Sequence, residues 1–343
     1  MVVAAWKAHF QPWLGHESDF CLLVRLAVIL KLWLPVAVNL SPGNIQPQGM
    51  PCGVAFYGPE QAFLNAREHM TPFTVDANLC RKDGICAKVC PIQIIDGKVG
   101  ELPTMAQHKV KVCIGCGQCM AFCPANACSA PGLSSQDSQP LNPQNMPTPE
   151  QAEELVFSRR SVRTFRNKPV PRETLTRLLD ATRFAPTAKN TQQLRWIVLE
   201  SREKTEALAK QIVDWLRKLA EIDPANAKAV HAESLVRTWD AGYDVICRHA
   251  PQLALIVAPK GHWGAPDAAI AASYLELIAN AHKVGCCWGG YVCFALAHPA
   301  AHELRAFAGV QEHEQVYAAQ MMGYPRLAPH FRPPRKALDV TWL

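Results

Sequence analysis

Downstream of residue 147 the apolar positions fall into readable periods. Thr148, Pro149, Glu150 and Gln151 have the form of an N-cap, a first-turn proline and a capping box, which predicts a helix to about Ser158. Leu175, Leu178, Leu179 and Thr182 recur at helical spacing, and Pro186 ends that helix. Trp196–Glu200, Leu253–Ala258 and Gln315–Met322 are apolar runs of strand length. Asp267–Val284 is alanine-rich and apolar on most faces, as a buried helix would be. Helices and strands alternate without a regular βαβ rhythm, so the fold class predicted is α+β.

The pattern changes upstream. Residues 131–149 hold Pro131, Pro140, Pro143, Pro147 and Pro149 among Ser, Gln and Asn, a composition suited to an extended linker or a surface wrap. Residues 1–69 form a leader whose apolar run, Phe20 to Leu40, is broken by Arg25, Lys31 and Pro35. Two cations inside a span are costly in a bilayer, no clear cleavage site follows, and no twin-arginine pair precedes it. The favoured reading is a true translation start at Met50 or Met70 rather than a membrane anchor. The segments expected are therefore 1–69, a cysteine-rich domain at 70–130, the linker at 131–149 and a larger domain at 150–343.

Composition adds one anomaly. With 49% hydrophobic and 19% charged residues the 343-residue chain can bury a core, which excludes wholesale disorder. A net charge of +6 without a long basic block gives no argument for nucleic acid. Seven of the 14 cysteines, however, lie between Cys80 and Cys123. That crowding points to thiolates kept for metal in a reducing compartment, the cytoplasm, rather than to a disulfide framework.

Cys113, Cys116, Cys119 and Cys123-Pro124 spell C-x2-C-x2-C-x3-C-P, the ligand run of a bacterial iron–sulfur ferredoxin. Two-residue gaps wrap three thiolates around one face of a cubane, and the fourth cysteine is released to the other cluster. The upstream copy is Cys80, Cys86 and Cys90-Pro91, with Asp83 where its second cysteine belongs. Crossing the fourth ligands gives one cluster on Cys90, Cys113, Cys116 and Cys119, and another on Cys80, Asp83, Cys86 and Cys123. A carboxylate is a harder, weaker ligand for this iron, so the Asp83 corner is oxygen-ligated, water-exchangeable or empty, making that cluster [4Fe–4S] or [3Fe–4S]. The alternative is that Asp83 is a turn residue before Gly84. Cys128 is off register and is read as a free thiol; the remaining cysteines are read as small buried hydrophobes. The region resembles two-cluster ferredoxins, which implies a compact split-βαβ domain and one-electron transfer.

The larger domain carries Phe157-Ser158-Arg159-Arg160-Ser161-Val162-Arg163-Thr164-Phe165, then Ala185-Pro186-Thr187-Ala188-Lys189-Asn190-Thr191-Gln192-Gln193. Later come Gly285-Cys286-Cys287-Trp288-Gly289-Gly290-Tyr291, Met322-Gly323-Tyr324-Pro325 and Arg332-Pro333-Pro334-Arg335-Lys336. In this order the set resembles the FMN-dependent nitroreductase family, which implies a three-layer α+β domain and an obligate homodimer with two FMN sites. By that resemblance Arg159, Ser161, Arg335 and Lys336 hold the FMN phosphate and ribityl chain, with Arg160 as a further contact. The resemblance also puts Arg163 where the family has a cation beside flavin N1 and O2, which would stabilise the reduced ring. By the same resemblance Pro186, Thr187 and Asn190 would reach the flavin of the partner subunit, and Gly289 and Gly290 would let the backbone approach N5. Gln193-Leu194 departs from the family's usual Pro-Trp in that loop.

The resemblances together imply an oxidoreductase passing electrons between two clusters and FMN to reduce nitroaromatics, quinones or similar electrophiles. NAD(P)H, ferredoxin or flavodoxin would be the donor. The alternative is a non-catalytic redox sensor or electron carrier with the same cofactors. No side chain is assigned a catalytic role of its own, and no phosphate loop, dinucleotide fingerprint or nucleophile elbow is present. His298 and His302 are read as an exposed helix face rather than a metal pair.

Overall fold

The computed structural model describes residues 71–261 and 263–343. The leader, with its apolar run and its candidate start methionines, lies outside the described residues. None of the described helices is long and apolar enough to cross a membrane.

The cysteine-rich part consists of short elements: β1 (Thr74–Val75), α1 (Ile85–Lys88), α2 (Gln107–Val110), α3 (Gln118–Ala121) and β2 (Cys128–Ser129). β1 and β2 pair antiparallel, and Asp96 bridges Thr104 in a second antiparallel contact. Its small core contains Cys86, Ile95, Cys119, Cys128 and Ala130. Too little apolar surface is enclosed here to hold such a domain unaided, which suits a fold whose interior is completed by inorganic clusters.

The segment that follows is largely exposed and is ordered only as two 3-10 turns, Ser135–Asp137 and Pro143–Asn145. Ser134 and Asn142 cap them through their side chains. The predicted helix then begins as α4 (Pro149–Ser158), with Thr148 and Gln151 exchanging both bonds of a capping box.

The rest is a three-layer arrangement. Its elements are α5 (Arg172–Thr182), β3 (Arg195–Leu199), α6 (Arg202–Ile222), α7 (Pro224–Ala229), α8 (Ala232–Asp240), β4 (Gln252–Pro259), α9 (Gly264–Ala281), β5 (Gly285–Trp288), α10 (Gly290–Ala297), α11 (His302–Phe307) and β6 (Glu314–Gly323). The sheet runs β3-β4-β6-β5 and every pairing is antiparallel. β4 is central and buried from Gln252 to Ala258, which explains its unbroken apolar run. Leu253, Leu255 and Val257 pack with Leu208, Ile212, Leu216 and Leu219 of α6 on one face. On the other face, Ala254 meets Leu175 and Leu178 of α5 and Leu275 and Ala279 of α9, while Ile256 meets Ala268, Ala271 and Ala272.

The glycine pair at Gly289 and Gly290 joins β5 to α10. Two expectations change in detail. α9 ends at Ala281, not Val284, and buries one face only; Ile270 and Tyr274 on its other side are exposed. His298 is not on an exposed helix face: it caps α10, packs edge-on against Trp215 with ring centroids 5.1 Å apart, and bonds to Asp223 at 3.2 Å.

Candidate functional site

The two cysteine motifs fold alike, and the likeness extends well beyond the cysteines. Each position in the first half recurs 33 residues later: Cys80 with Cys113, Asp83 with Cys116, Cys86 with Cys119, Cys90 with Cys123. Lys82 and Gly115 are left-handed at φ 54° and 61°, Gly84 and Gly117 at 71° and 68°, and Gln93 and Asn126 at 51° and 48°. These turns aim backbone N–H groups at sulfur. Lys82 N donates to Cys80 Sγ at 3.4 Å, Gly115 N to Cys113 Sγ at 3.5 Å, and Ala127 N to Cys123 Sγ at 3.3 Å. Such donors stabilise thiolate charge and tune a cluster's potential.

Cys90, Cys113, Cys116 and Cys119 line one small cavity. Cys113 feels the charges of Cys119, Cys116 and Cys90, and Cys86 those of Cys119, Cys123 and Cys80, so Cys119 acts on both. Burial pushes the Cys86 and Cys113 thiols up, whereas the Cys128 thiol beside it brings Cys119 down to about 7. Cys128 is a free thiol, buried in β2, that donates to the Cys119 carbonyl at 3.1 Å. Among the described residues no three His, Cys, Asp or Glu side chains close around a single ion. Asp83 Oδ1 accepts from Ile85 N at 3.1 Å where α1 begins, a turn contact made by one of its two carboxylate oxygens.

In the larger domain the Arg159–Arg163 segment leaves α4 and runs along the outer edge of β5. Ser161 bridges Cys286 in parallel sense, and Val162 N donates to Cys286 O at 2.9 Å. Gly285 makes this approach possible, since a Cβ there would lie 2.5 Å from Val162 Cγ2. Arg159 and Arg160 line a cleft of about 600 Å³ with Arg166, Lys168 and Lys283, a concentration of cations suited to an anion. Glu276 is the acid among them. It accepts from Arg159 Nη1 at 2.9 Å and from Gln320 Nε2 at 2.9 Å, while Gln320 Oε1 is buried without a partner among the described residues.

Arg163 points elsewhere, into a cleft of about 310 Å³ shared with Arg248, Trp288, Gly290, Tyr291 and Phe294. Both arginines act on Cys287, although burial outweighs them and pushes its thiol up. Gly289 lines neither cleft: its N–H donates to Ala319 O at 2.8 Å, and a Cβ on it would stand 3.2 Å from Ala319 Cβ.

The Pro186–Asn190 loop forms a separate feature. The buried Asp267, in the first turn of α9, accepts from Ala188 N at 3.0 Å, and Thr187 Oγ1 accepts from Gln192 N at 3.1 Å. Lys189, Asn190 and Gln192 are all left-handed. Asn190 Nδ2 reaches the cysteine-rich domain, donating to Ile114 O at 3.2 Å and Gly115 O at 2.9 Å.

Arg335 and Lys336 lie in an exposed tail, and the cleft around Arg159 follows that tail only as far as Pro329. Arg332 is the tail residue that turns back, stacking over Phe157 at 3.7 Å and pairing with Glu154 at 2.9 Å. The structure therefore brings Arg159 and Arg160 together, and Arg163 with Gly290, but within one chain it unites neither group with the tail cations or with the Pro186 loop. Arg248, Glu276 and Asp267 are the residues sequence reasoning missed. Two acids in an otherwise alanine-rich, apolar helix were the available signal for Asp267 and Glu276; Arg248 had none.

Comparison with known proteins matches residues 73–124 to the 4Fe-4S dicluster domain and residues 156–324 to the nitroreductase family. A protein of Methanothermobacter thermautotrophicus whose name joins NADH dehydrogenase and NAD(P)H nitroreductase is 25% identical over 180 residues, covering 52% of this chain and 80% of its own. Among solved structures, a nitroreductase with bound FMN from Bacteroides fragilis is 21% identical with a TM-score of 0.47, over 56% of this chain and 99% of that one. Another from Desulfitobacterium hafniense is 20% identical with a TM-score of 0.44, over 55% and 98%.

Proposed function

The chain is an oxidoreductase that joins a 4Fe-4S dicluster domain to a nitroreductase-family domain, and from this we propose that it moves electrons between two iron–sulfur clusters and FMN to reduce nitroaromatics, quinones or similar electrophilic small molecules. Iron–sulfur clusters supply one-electron transfer, and FMN supplies exchange between single electrons and pairs. The observation that carries the reading is the contact of a cluster-ligand loop, at Ile114 and Gly115, with the loop after Pro186.

The residues suit these groups. Backbone N–H donors aimed at Cys80, Cys113 and Cys123 favour thiolates over thiols. Arg159 and Arg160 offer forked donors to a phosphate dianion, with Ser161 beside them; Arg335 and Lys336, which lie outside that cleft within one chain, would join as phosphate contacts across a homodimer. Arg163 and Arg248 offer fixed positive charge to the ring edge that gains electron density on reduction. Gly290 presents bare backbone in that cleft. Pro186 and Thr187 complete the site across a homodimer, for which the exposed Ile270 and Tyr274 face of α9 is the apolar candidate surface. The cytoplasm is the compartment that keeps so many thiols reduced.

Anaerobic purification with iron counting and a visible spectrum tests the cofactors, and a preparation lacking both iron and flavin overturns the reading. Titration with NAD(P)H and, separately, with dithionite-reduced ferredoxin then assigns the donor. Rapid flavin bleaching by nicotinamide alone makes the clusters an exit; bleaching only by reduced ferredoxin makes them the entrance.

A further inference from the structure

Asn190 uses both hydrogens of its amide on the cysteine-rich domain, one toward Ile114 O at 3.2 Å and one toward Gly115 O at 2.9 Å. These carbonyls lie between the ligands Cys113 and Cys116. The Ile114 carbonyl also shares a peptide unit with the Gly115 N–H, which donates to Cys113 Sγ at 3.5 Å. Donation into a carbonyl polarises the amide on the same unit and strengthens the bond that amide gives. Asn190 is thus one peptide away from a ligand sulfur.

The side chain is held for this purpose from behind. Asp267 accepts from Ala188 N, Thr187 O accepts from Asn190 N at 3.0 Å, and Ala185 is packed in the core with Ala268, Ala271 and Ala272. Asn190 itself sits at φ 52°, a conformation that asparagine tolerates better than most residues. A rigid inner end and a doubly bonded outer end make the loop a strut between the domains.

We propose that Asn190 is a positioning residue of the electron-transfer interface: it docks the Cys113–Cys116 ligand loop onto the nitroreductase domain and raises the potential of the cluster held by Cys90, Cys113, Cys116 and Cys119. That cluster is accordingly the one that faces the flavin domain, and the Asp83 cluster is the outer one. Both assignments rest on the cofactor reading above. The Arg81–Lys82 peptide, which gives its N–H to Cys80 Sγ at 3.4 Å in the other half, supplies an internal control.

The test compares the full-length holoprotein with Asn190→Gly, which keeps the backbone conformation, and Asn190→Asp, which sets a carboxylate against two carbonyls. Potentiometric titration followed by EPR resolves the two clusters, and hydrogen exchange follows the amides of residues 113–117. Both variants should shift one cluster to a more negative potential and leave the other in place, with exchange at Gly115 faster by tenfold or more. Unmoved potentials together with unmoved exchange overturn the proposal, as does an equal shift of both clusters. If the preparation holds no clusters, the cofactor reading fails; exchange at Gly115 in the same sample still decides whether the strut exists.

Discussion

Gly285→Ala is the substitution that couples fold to site most directly. An added Cβ would lie 2.5 Å from Val162 Cγ2, 2.7 Å from Val162 Cβ and 3.0 Å from Val162 Cγ1. Rotating Val162 about χ1 moves its methyls but not its Cβ, so relief must come from the backbone of residues 161–163. Overpacking of this kind costs about 1–3 kcal/mol, and loss of the Val162 N–H bond to Cys286 O adds about 1 kcal/mol. The expected destabilisation is roughly 2–4 kcal/mol, read as a lower urea midpoint with unchanged slope. Arg159, Ser161 and Arg163 ride on the displaced segment, so FMN affinity should fall at least about tenfold, the equivalent of about 1.4 kcal/mol. Gly290→Ala is the matched control, because its nearest foreign atom would be Trp288 Cδ1 at 3.7 Å, an ordinary contact. Stability there should stay within about 0.5 kcal/mol, while FMN binding weakens if the flavin lies against that backbone. A Gly285→Ala protein with the parent's urea midpoint and the parent's FMN affinity would refute the reasoning.

Further outcomes follow from other contacts. If the turn bond from Ile85 N to Asp83 Oδ1 holds that side chain off the cluster, anaerobic protein should bind about seven irons per chain and Asp83→Cys about eight, by iron assay; eight in both would make Asp83 a true ligand. Glu314 accepts from Arg195 Nε at 2.7 Å, and that guanidinium holds its carboxyl below the usual range. A depressed acid stabilises the fold fully above its unfolded pKa of about 4.3 and loses the contribution as pH falls through the lower folded value. Glu314→Gln should therefore cost about 1–3 kcal/mol at pH 7 in chemical unfolding, with the difference from the parent vanishing in acid; a gap independent of pH would count against the ion pair. Thr148→Ala removes the capping box of α4 and should cost about 1 kcal/mol, measured the same way.

The residues legible in advance were those whose role is local. Thr148 and Gln151 bond each other across one turn, so their capping box was readable without knowing what α4 packs against. Cysteine spacing made the two motifs legible as copies of one local loop, and the structure repeats that loop 33 residues apart, left-handed turns included. β4 declared itself by an unbroken apolar run, since a strand covered on both faces has no polar positions to show. α6 was harder: its apolar positions Leu208, Ile212, Leu216 and Leu219 have helical spacing, yet charged residues lie thickly between them on the exposed side.

What only tertiary structure decided is where distant segments meet. Nothing near Gly285 in the chain announces Val162, and nothing near Asn190 announces Ile114 and Gly115, because such contacts join residues 75 or more positions apart. The same holds for Glu276 against Arg159 and for Asp267 behind the Pro186 loop. Short-range propensity and spacing determine turns, caps and ligand loops; the pairing of charges and donors across the molecule waits for the sheet order and the helices packed on it.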